Sequence, residues 1–370
     1  MSDCIFCPSP LTSINAHVEH IIPNALGGKL KSRQLDCAKC NSDFGERCDA
    51  QIAKNLNPLA NLLHIERERG DVQPMDVTVG GKSIRRLSSG ELRPNEAEHS
   101  IETTPSGVQV SAKARDPKQL RQLLGRIARD YPKLDVEKAM TLVQAKKEYP
   151  REWMNVSFSA GGDDTFRAIA KMALLFFKLR LRQHKISAEA DLIAYIKCER
   201  EYKQTFFYYP PTEIADRAPG QILHSIIIKS YPAERLLLAF VDLFSVVSVV
   251  LVLADDFTED VAAHYVFDVL ARQEVQSPTL RFPVLDRASL EKHFNELPSP
   301  GPQIEDRLKL FLPVALSRQI QHHVNDLVGE VVTKYCARFA PGTDMTPEMN
   351  AQLSSEIMAA VGPFLASRGR

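Results

Sequence analysis

Residues 17–45 read HVEHIIPNALGGKLKSRQLDCAKCNSDFG, and a further cysteine pair, Cys4-Ile5-Phe6-Cys7, precedes them. With Cys37-Ala38-Lys39-Cys40 this makes two CxxC pairs, each setting two thiols on one tight turn, the spacing at which both sulfurs can face one tetrahedral ion about 2.3 Å away. Four thiolates close such a site, so it holds a short segment together and leaves no position for a reacting water; Zn²⁺ is the expected ion. Unrelated buried pairs or a redox pair are the alternatives, and the placing of all four cysteines in one small segment counts against them. Between the pairs, His17-Val18-Glu19-His20-Ile21-Ile22-Pro23 sets an acid beside an imidazole at the end of a short apolar strand, closed by proline and a turn at Gly27-Gly28. The second pair runs directly into Asn41, expected in the first turn of a helix, where its side-chain oxygen can face a hard cation.

Outward from this stretch, an amphipathic run from Phe44 to Leu56 ends the first segment, and the chain is expected to divide at 1–63, 64–160 and 161–370. The middle part opens with DVTVGGKSIRRL, two strand-like runs around Gly80-Gly81, and continues with GVQVSAKA. Asp116-Pro117 then reads as a helix start, with Leu120, Leu123, Leu124 and Ile127 at helical spacing and a further helix expected to Tyr149. A long helix is predicted from about Asp164 to Gln183, its apolar face formed by Phe166, Ile169, Ala170, Ala173, Leu174, Phe177 and Leu181. ILHSIIIKSY, RLLLAFVDLF and SVVSVVLVLA are strand-length apolar runs, expected to form a buried sheet rather than an oligomer interface, and helical spacing returns after Asn295 between breaks at LPSPGP and APG.

The 370 residues are 44% apolar and 25% charged, which excludes collagenous, low-complexity and wholly disordered classes. Lys+Arg 46 against Asp+Glu 46 gives no net charge, so any basic surface has to come from segregation of charge. The longest apolar stretch, Phe244 to Ala254, is shorter than the ~20 residues that cross hydrocarbon, and the N-terminus shows no secretory pattern; a cytoplasmic protein without membrane contact is expected.

The order CxxC, EHIIPxxLGG, CxxCNxxFG over residues 4–55 resembles the HNH endonucleases. The resemblance implies a small zinc-braced ββα-metal module; with the strand-length runs and returning helical spacing beyond it, which predict a larger mixed α+β body with a helical C-terminus, the expected fold class is α+β. It implies that Glu19 and Asn41 hold a catalytic divalent ion, Mg²⁺ or Mn²⁺, and that His20 activates water, with cleavage leaving a 5′-phosphate and a 3′-hydroxyl. Histidine suits that task, because an unperturbed pKa near ~6.5 leaves it neutral at physiological pH. Two departures stand out: Glu19 occupies a position where the family also uses aspartate or histidine, and the family's middle asparagine is matched by Ser32, a candidate for orienting the loop or the His20 ring. Asp49, two turns past Asn41, is an acceptor behind the ligands, an extra ligand, or an ordinary cap or salt-bridge partner. His17 alternates to the other side of the strand and Cys48 has no partner at CxxC spacing, so both are taken as non-catalytic.

The implied partner is DNA, double-stranded, approached at the minor groove, where contacts carry little base information. Residues 111–151 hold eleven Lys/Arg against five acids, while 255–370 hold eleven bases and sixteen acids. Lys113, Arg115, Lys118 and Arg121 are therefore candidate DNA contacts, as is a stripe of Arg167, Lys171, Lys178 and Arg182 on the long helix, with a plain solvated face as the alternative for both. The layout resembles free-standing prokaryotic nucleases that act as anti-phage effectors, with the body or a regulatory protein partner restraining the nuclease; the sequence leaves oligomeric state open. The rival readings are a zinc-ribbon nucleic-acid-binding protein without hydrolytic activity and a nuclease directed at RNA.

Overall fold

The computed structural model describes residues 3–68, 70, 72–105, 107–144, 152–201, 207–283, 286–296 and 300–368. The chain opens with β1 (Glu19–His20), β2 (Lys31–Ser32), α1 (Ala38–Gly45) and α2 (Cys48–Leu62). It continues through β3 (Met75–Val79), β4 (Lys82–Arg86), β5 (Leu92–Pro94), β6 (Glu98–Thr104), β7 (Gly107–Lys113), α3 (Pro117–Asp130), α4 (Val136–Thr141) and β8 (Met154–Asn155). Then come α5 (Asp163–Arg180), α6 (Glu189–Ile196), β9 (Phe207–Tyr208), β10 (Leu223–Tyr231), β11 (Leu236–Leu243), β12 (Val247–Ala254), β13 (Ala262–Asp268) and β14 (Gln273–Glu274). Three helices end it: α7 (Arg287–Glu296), α8 (Gly301–Cys336) and α9 (Pro347–Arg368). The fold is α+β with a helical C-terminus, and no helix among the described residues is long and apolar enough to cross a membrane.

Two compact units emerge, Met1–Val72 with Phe158–Arg318 and Gln73–Ser157 with Gln319–Arg370. The first is built on an antiparallel sheet in the order β14-β13-β10-β11-β12-β9. Its central strands β11 and β12 are buried on both faces, which is why their sequences run apolar without alternation. Helix α5 touches β10, β11 and β12 as well as α2. Residues 167–177 are all buried, so α5 is enclosed on every side and any polar group it carries must find a partner inside the protein.

His224 on β10 ties the sheet to the N-terminal module. It is fully buried, its Nδ1 accepts the Phe244 N–H at 3.1 Å, and Nε2 therefore carries the proton and donates to Leu26 O at 2.8 Å. The second unit holds the sheet β5-β4-β3-β8 and the ribbon β6-β7. Gly80 and Gly81 join β3 to β4 with φ of 56° and 78°, the two left-handed positions that a tight hairpin requires. Asp116 caps α3 by accepting the Gln119 N–H at 2.8 Å, and Leu120, Leu123, Leu124 and Ile127 form its buried face.

Several expectations are corrected. The Phe44–Leu56 run is two helices, broken where Arg47 leaves helical geometry at φ −116° and ψ −107°, so Asp49 starts a new helix instead of riding on that of Asn41. The stripe on α5 is not a solvated face: Arg167 and Lys171 are buried, Lys178 pairs with Glu189 of α6, and only Arg182 is exposed, donating to Gln34 O at 3.1 Å. The helix expected to reach Tyr149 ends at Thr141, and residues 145–151, with Lys146, Lys147 and Arg151, lie outside the described residues, as do 297–299 of LPSPGP.

Replacing His224 by leucine strands two buried backbone groups at about 1–3 kcal/mol each, a loss that urea denaturation will register. Burial lowers the His224 pKa from 6.5 to about 4, so between these values the unfolded chain binds the extra proton. The wild type should lose stability as pH falls from about 6.5 to about 4, and His224→Leu should flatten that slope.

Candidate active site

The two CxxC turns are positioned by backbone bonds: Cys4 N–H donates to Ser9 O, Ile5 N–H to Leu35 O and Ala38 N–H to Asn15 O. The ligand atoms of Cys4, Cys7, Cys37 and Cys40 lie within 4.8 Å of one another, a group able to hold a metal ion. Cys7 and Cys37 Sγ are 3.8 Å apart, matching the about 3.8 Å between sulfurs set tetrahedrally around an ion at about 2.3 Å. Hydrogen bonding from the Ser9 side chain holds the Cys7 thiol down to about 6, while burial pushes Cys4 and Cys40 up, the penalty on crowded thiolates that a cation removes. Cys37 is also the N-cap of α1, so this cluster fixes where the helix carrying Asn41 begins.

Between the cysteine pairs, β1 and β2 pair with Glu19 opposite Ser32 and His20 opposite Lys31. The loop joining them folds back so closely that a Cβ on Gly28 would stand 1.9 Å from Ile22 O, and Gly27 adopts φ 89°. Adjacent residues on a strand point to opposite sides, so Glu19 turns inward and His20 turns away.

Glu19 is buried, and the Asn41 amide of α1 donates to its Oε2. Its other oxygen, Oε1, accepts from Lys171 Nζ at 2.6 Å. The same ammonium reaches Asp49 Oδ2 at 2.5 Å and lies 5.1 Å from the centre of the Phe44 ring. Asp36 adds a third acid to this neighbourhood: it is fully buried and neither carboxylate oxygen makes a hydrogen bond of ideal geometry, although the Asn41 side chain approaches it as a donor and its charge feels Lys171, His17 and Asp49. Burial, reinforced by Asp36 and Asp49, raises Glu19 to about 7 against the pull of Lys171, and burial raises Asp36 to about 6. Burial works against the Lys171 charge too, but Asp49 and Glu19 outweigh it and hold Lys171 above its ordinary value, so it stays protonated. Glu19 and Asp49 thus share one ammonium, which Asp36 feels only at longer range. Carboxylates with a side-chain amide are the donor types a hard divalent ion takes, whereas the one group of three or more His, Cys, Asp or Glu close enough to hold an ion among the described residues is the four cysteines.

His20 belongs to a separate, more open group. Its Nε2 lies 3.4 Å from Glu68 Oε2, and Glu68 is in turn gripped by Lys31 at 3.0 Å and Lys29 at 3.9 Å. Burial lowers the His20 pKa while Glu68 works in the opposite direction, and Lys31 chiefly lowers that of Glu68. Ser32 Oγ accepts the Gln34 N–H at 3.1 Å and so shapes the loop into the second cysteine pair rather than the His20 ring. His17 is exposed, and buried Cys48 has its thiol pushed up to about 12 by burial.

Lys113, Arg115, Lys118 and Arg121 are exposed in the other unit; Arg115 pairs with Asp116 and Arg121 with Glu137. Sequence reasoning missed Asp36, Glu68, Lys29 and the inward course of Lys171. Only the last carried a signal, a lysine set in the apolar run AIAKMALLFF.

Residues 4–57 match the HNH endonuclease family model. No curated protein and no solved structure matches the chain. The HNH segment carries both cysteine pairs, Glu19, His20, Asn41 and Asp49, and its match points to nuclease chemistry on a nucleic acid. Lys171 and Glu68, which touch its acid and its imidazole, lie outside the matched residues.

If the thiol cluster holds the HNH segment together, elemental analysis will find one tightly bound metal ion per chain and Cys40→Ser will lose it. Amide hydrogen exchange across residues 4–45 should then rise by orders of magnitude, because α1 loses its fixed start.

Proposed function

We propose that the protein is a metal-dependent DNA endonuclease in which His20 is the general base and Glu19, Asn41 and neighbouring carboxylates hold one divalent ion, Mg²⁺ or Mn²⁺. The thiol cluster takes Zn²⁺ as a structural ion. The observation that carries this reading is the hydrogen bond from the Asn41 amide on α1 to the Glu19 carboxylate on β1, next in sequence to His20 on the opposite side of the strand, inside a segment that matches the HNH endonucleases.

The chain's own groups have definable tasks. Glu68 beside His20 Nε2 favours a proton on that nitrogen, which leaves Nδ1 to accept a proton from water. Lys29 and Lys31 add positive charge next to the imidazole, suited to a phosphodiester backbone. A divalent ion, when bound, supplies charge neutralisation to the phosphate and the leaving oxygen. Lys113, Arg115, Lys118 and Arg121 remain candidates for holding duplex DNA, with Lys113 and Lys118 the more available because their neighbours are paired to acids.

A cytoplasmic effector of anti-phage defence suits this chemistry, since a nuclease without base specificity endangers its own cell and calls for restraint by the body or a regulatory partner. One observation favours the rival zinc-ribbon reading without catalysis: Glu19 is buried against an ammonium.

A supercoiled-plasmid assay at high Mg²⁺ or Mn²⁺ decides between them. Nicking is expected with the ion and none with chelator, and His20→Ala should slow it by about 10²–10⁴-fold. Equal rates for wild type and His20→Ala would remove the assignment, and preference for an RNA substrate offered in parallel would change the target.

A further inference from the structure

Lys171 stands at the centre of buried helix α5, and its Nζ has two carboxylates for partners, Glu19 from β1 and Asp49 from α2, at 2.6 and 2.5 Å. Oxygen donors converging from separate elements on one buried positive charge form the arrangement in which proteins hold cations. We propose that Lys171 is a latch: its ammonium holds the cation position of the HNH segment, and a divalent ion binds there only when the α5 lysine gives way.

Three further observations lead to this. An ammonium brings one charge and three N–H donors, all in fixed directions once the side chain is 98% buried, and it leaves the fully buried Asp36 with neither oxygen hydrogen-bonded. A carboxylate so buried, with only Lys171, His17 and the Asn41 side chain to offset its charge and no hydrogen bond of proper geometry, is one that further positive charge would stabilise. A divalent ion bound through Glu19 at about 2.1 Å would sit against the same oxygen that Lys171 contacts, and two like charges at that separation exclude each other.

Lys171 also belongs to a helix packed in on every side over residues 167–177. Helix α5 is enclosed, with α2 and the strands β10, β11 and β12 around it, and Asn55 of α2 donates to Thr165 Oγ1 at 2.8 Å. Freeing the cation position therefore requires Lys171 to withdraw past Phe44 or the α5–α2 contact to loosen. The body thereby restrains the HNH segment through a single charge. This inference rests on the nuclease reading for what the ion does, but not for where the ion binds.

The test is a Mn²⁺ titration of the full chain, followed by the electron paramagnetic resonance of free Mn²⁺ and by melting temperature. Lys171→Met should bind one Mn²⁺ at least tenfold more tightly than wild type, and Mn²⁺ should raise its melting temperature by more. Lys171→Arg, which keeps the charge, should stay as weak as wild type, and adding Glu19→Gln to Lys171→Met should abolish the gain. Unchanged Mn²⁺ affinity in Lys171→Met, or equal gains in the methionine and arginine variants, overturns the latch. Should Lys171→Met fail to fold, Lys171→Met with Asp49→Asn removes the surplus carboxylate, and the comparison is made against Asp49→Asn alone. Tighter Mn²⁺ binding without plasmid nicking would keep the latch and remove the nuclease reading. Nicking by the wild type that disappears in Lys171→Met would overturn the latch, because the lysine would then be a working group.

Discussion

One buried ammonium shared by the buried Glu19 and the half-buried Asp49 holds the HNH segment in register with the body. Glu19, Asp49 and Lys171 come from β1, α2 and α5, so their charges join the HNH segment to the sheet-bearing body by a contact that tolerates little displacement. Breaking a buried pair of this kind by removing one partner costs about 3–5 kcal/mol, because the remaining charge stays stranded away from water. A second tie, His224 to Leu26, fixes the same segment to β10. The two act differently: the first carries charge and answers to any cation that reaches it, whereas the second is neutral over the physiological range because burial holds His224 at about 4.

The segregation of Glu19 from His20 has chemical sense. A two-residue strand sends the acid toward α1 and α5 and the imidazole toward Glu68, Lys29 and Lys31. Glu19 is buried, while the side chain of His20 keeps 18% of its surface exposed. Alternation along a strand supplies both environments from neighbouring positions without a long loop.

The fold class and the cysteine cluster were legible because the residues that decide them sit close together in the chain. CxxC turns report their own geometry, and apolar runs such as SVVSVVLVLA report a doubly covered strand. The site was legible only as far as local spacing reaches. Lys171 is 152 residues from Glu19, and a basic stripe on a helix reads as solvated unless one knows that α2 and the HNH segment cover it. Asp36 precedes Cys37 with nothing in its neighbours to mark burial, and Glu68 follows α2 in a stretch whose acids and bases alternate. Sequence spacing also merged α1 and α2, since amphipathic periodicity continues across a break set by the backbone of Arg47.

The thiol cluster and the acid cluster are not independent. Phe6, inside the first CxxC turn, meets Phe44 edge-on at a centroid distance of 4.5 Å, and Phe44 lies under the Lys171 ammonium. Phe44 shares α1 with Asn41, and α1 begins on Cys37. A structural ion that fixes the two turns therefore also fixes the amide on Glu19 and the ring beneath Lys171. Packing of two aromatic rings is weak singly, about 0.5–1.5 kcal/mol, but here it connects one cation position to the other through a rigid helical turn. Phe6 and α1 thus lead from the cysteine turns to the surroundings of Lys171.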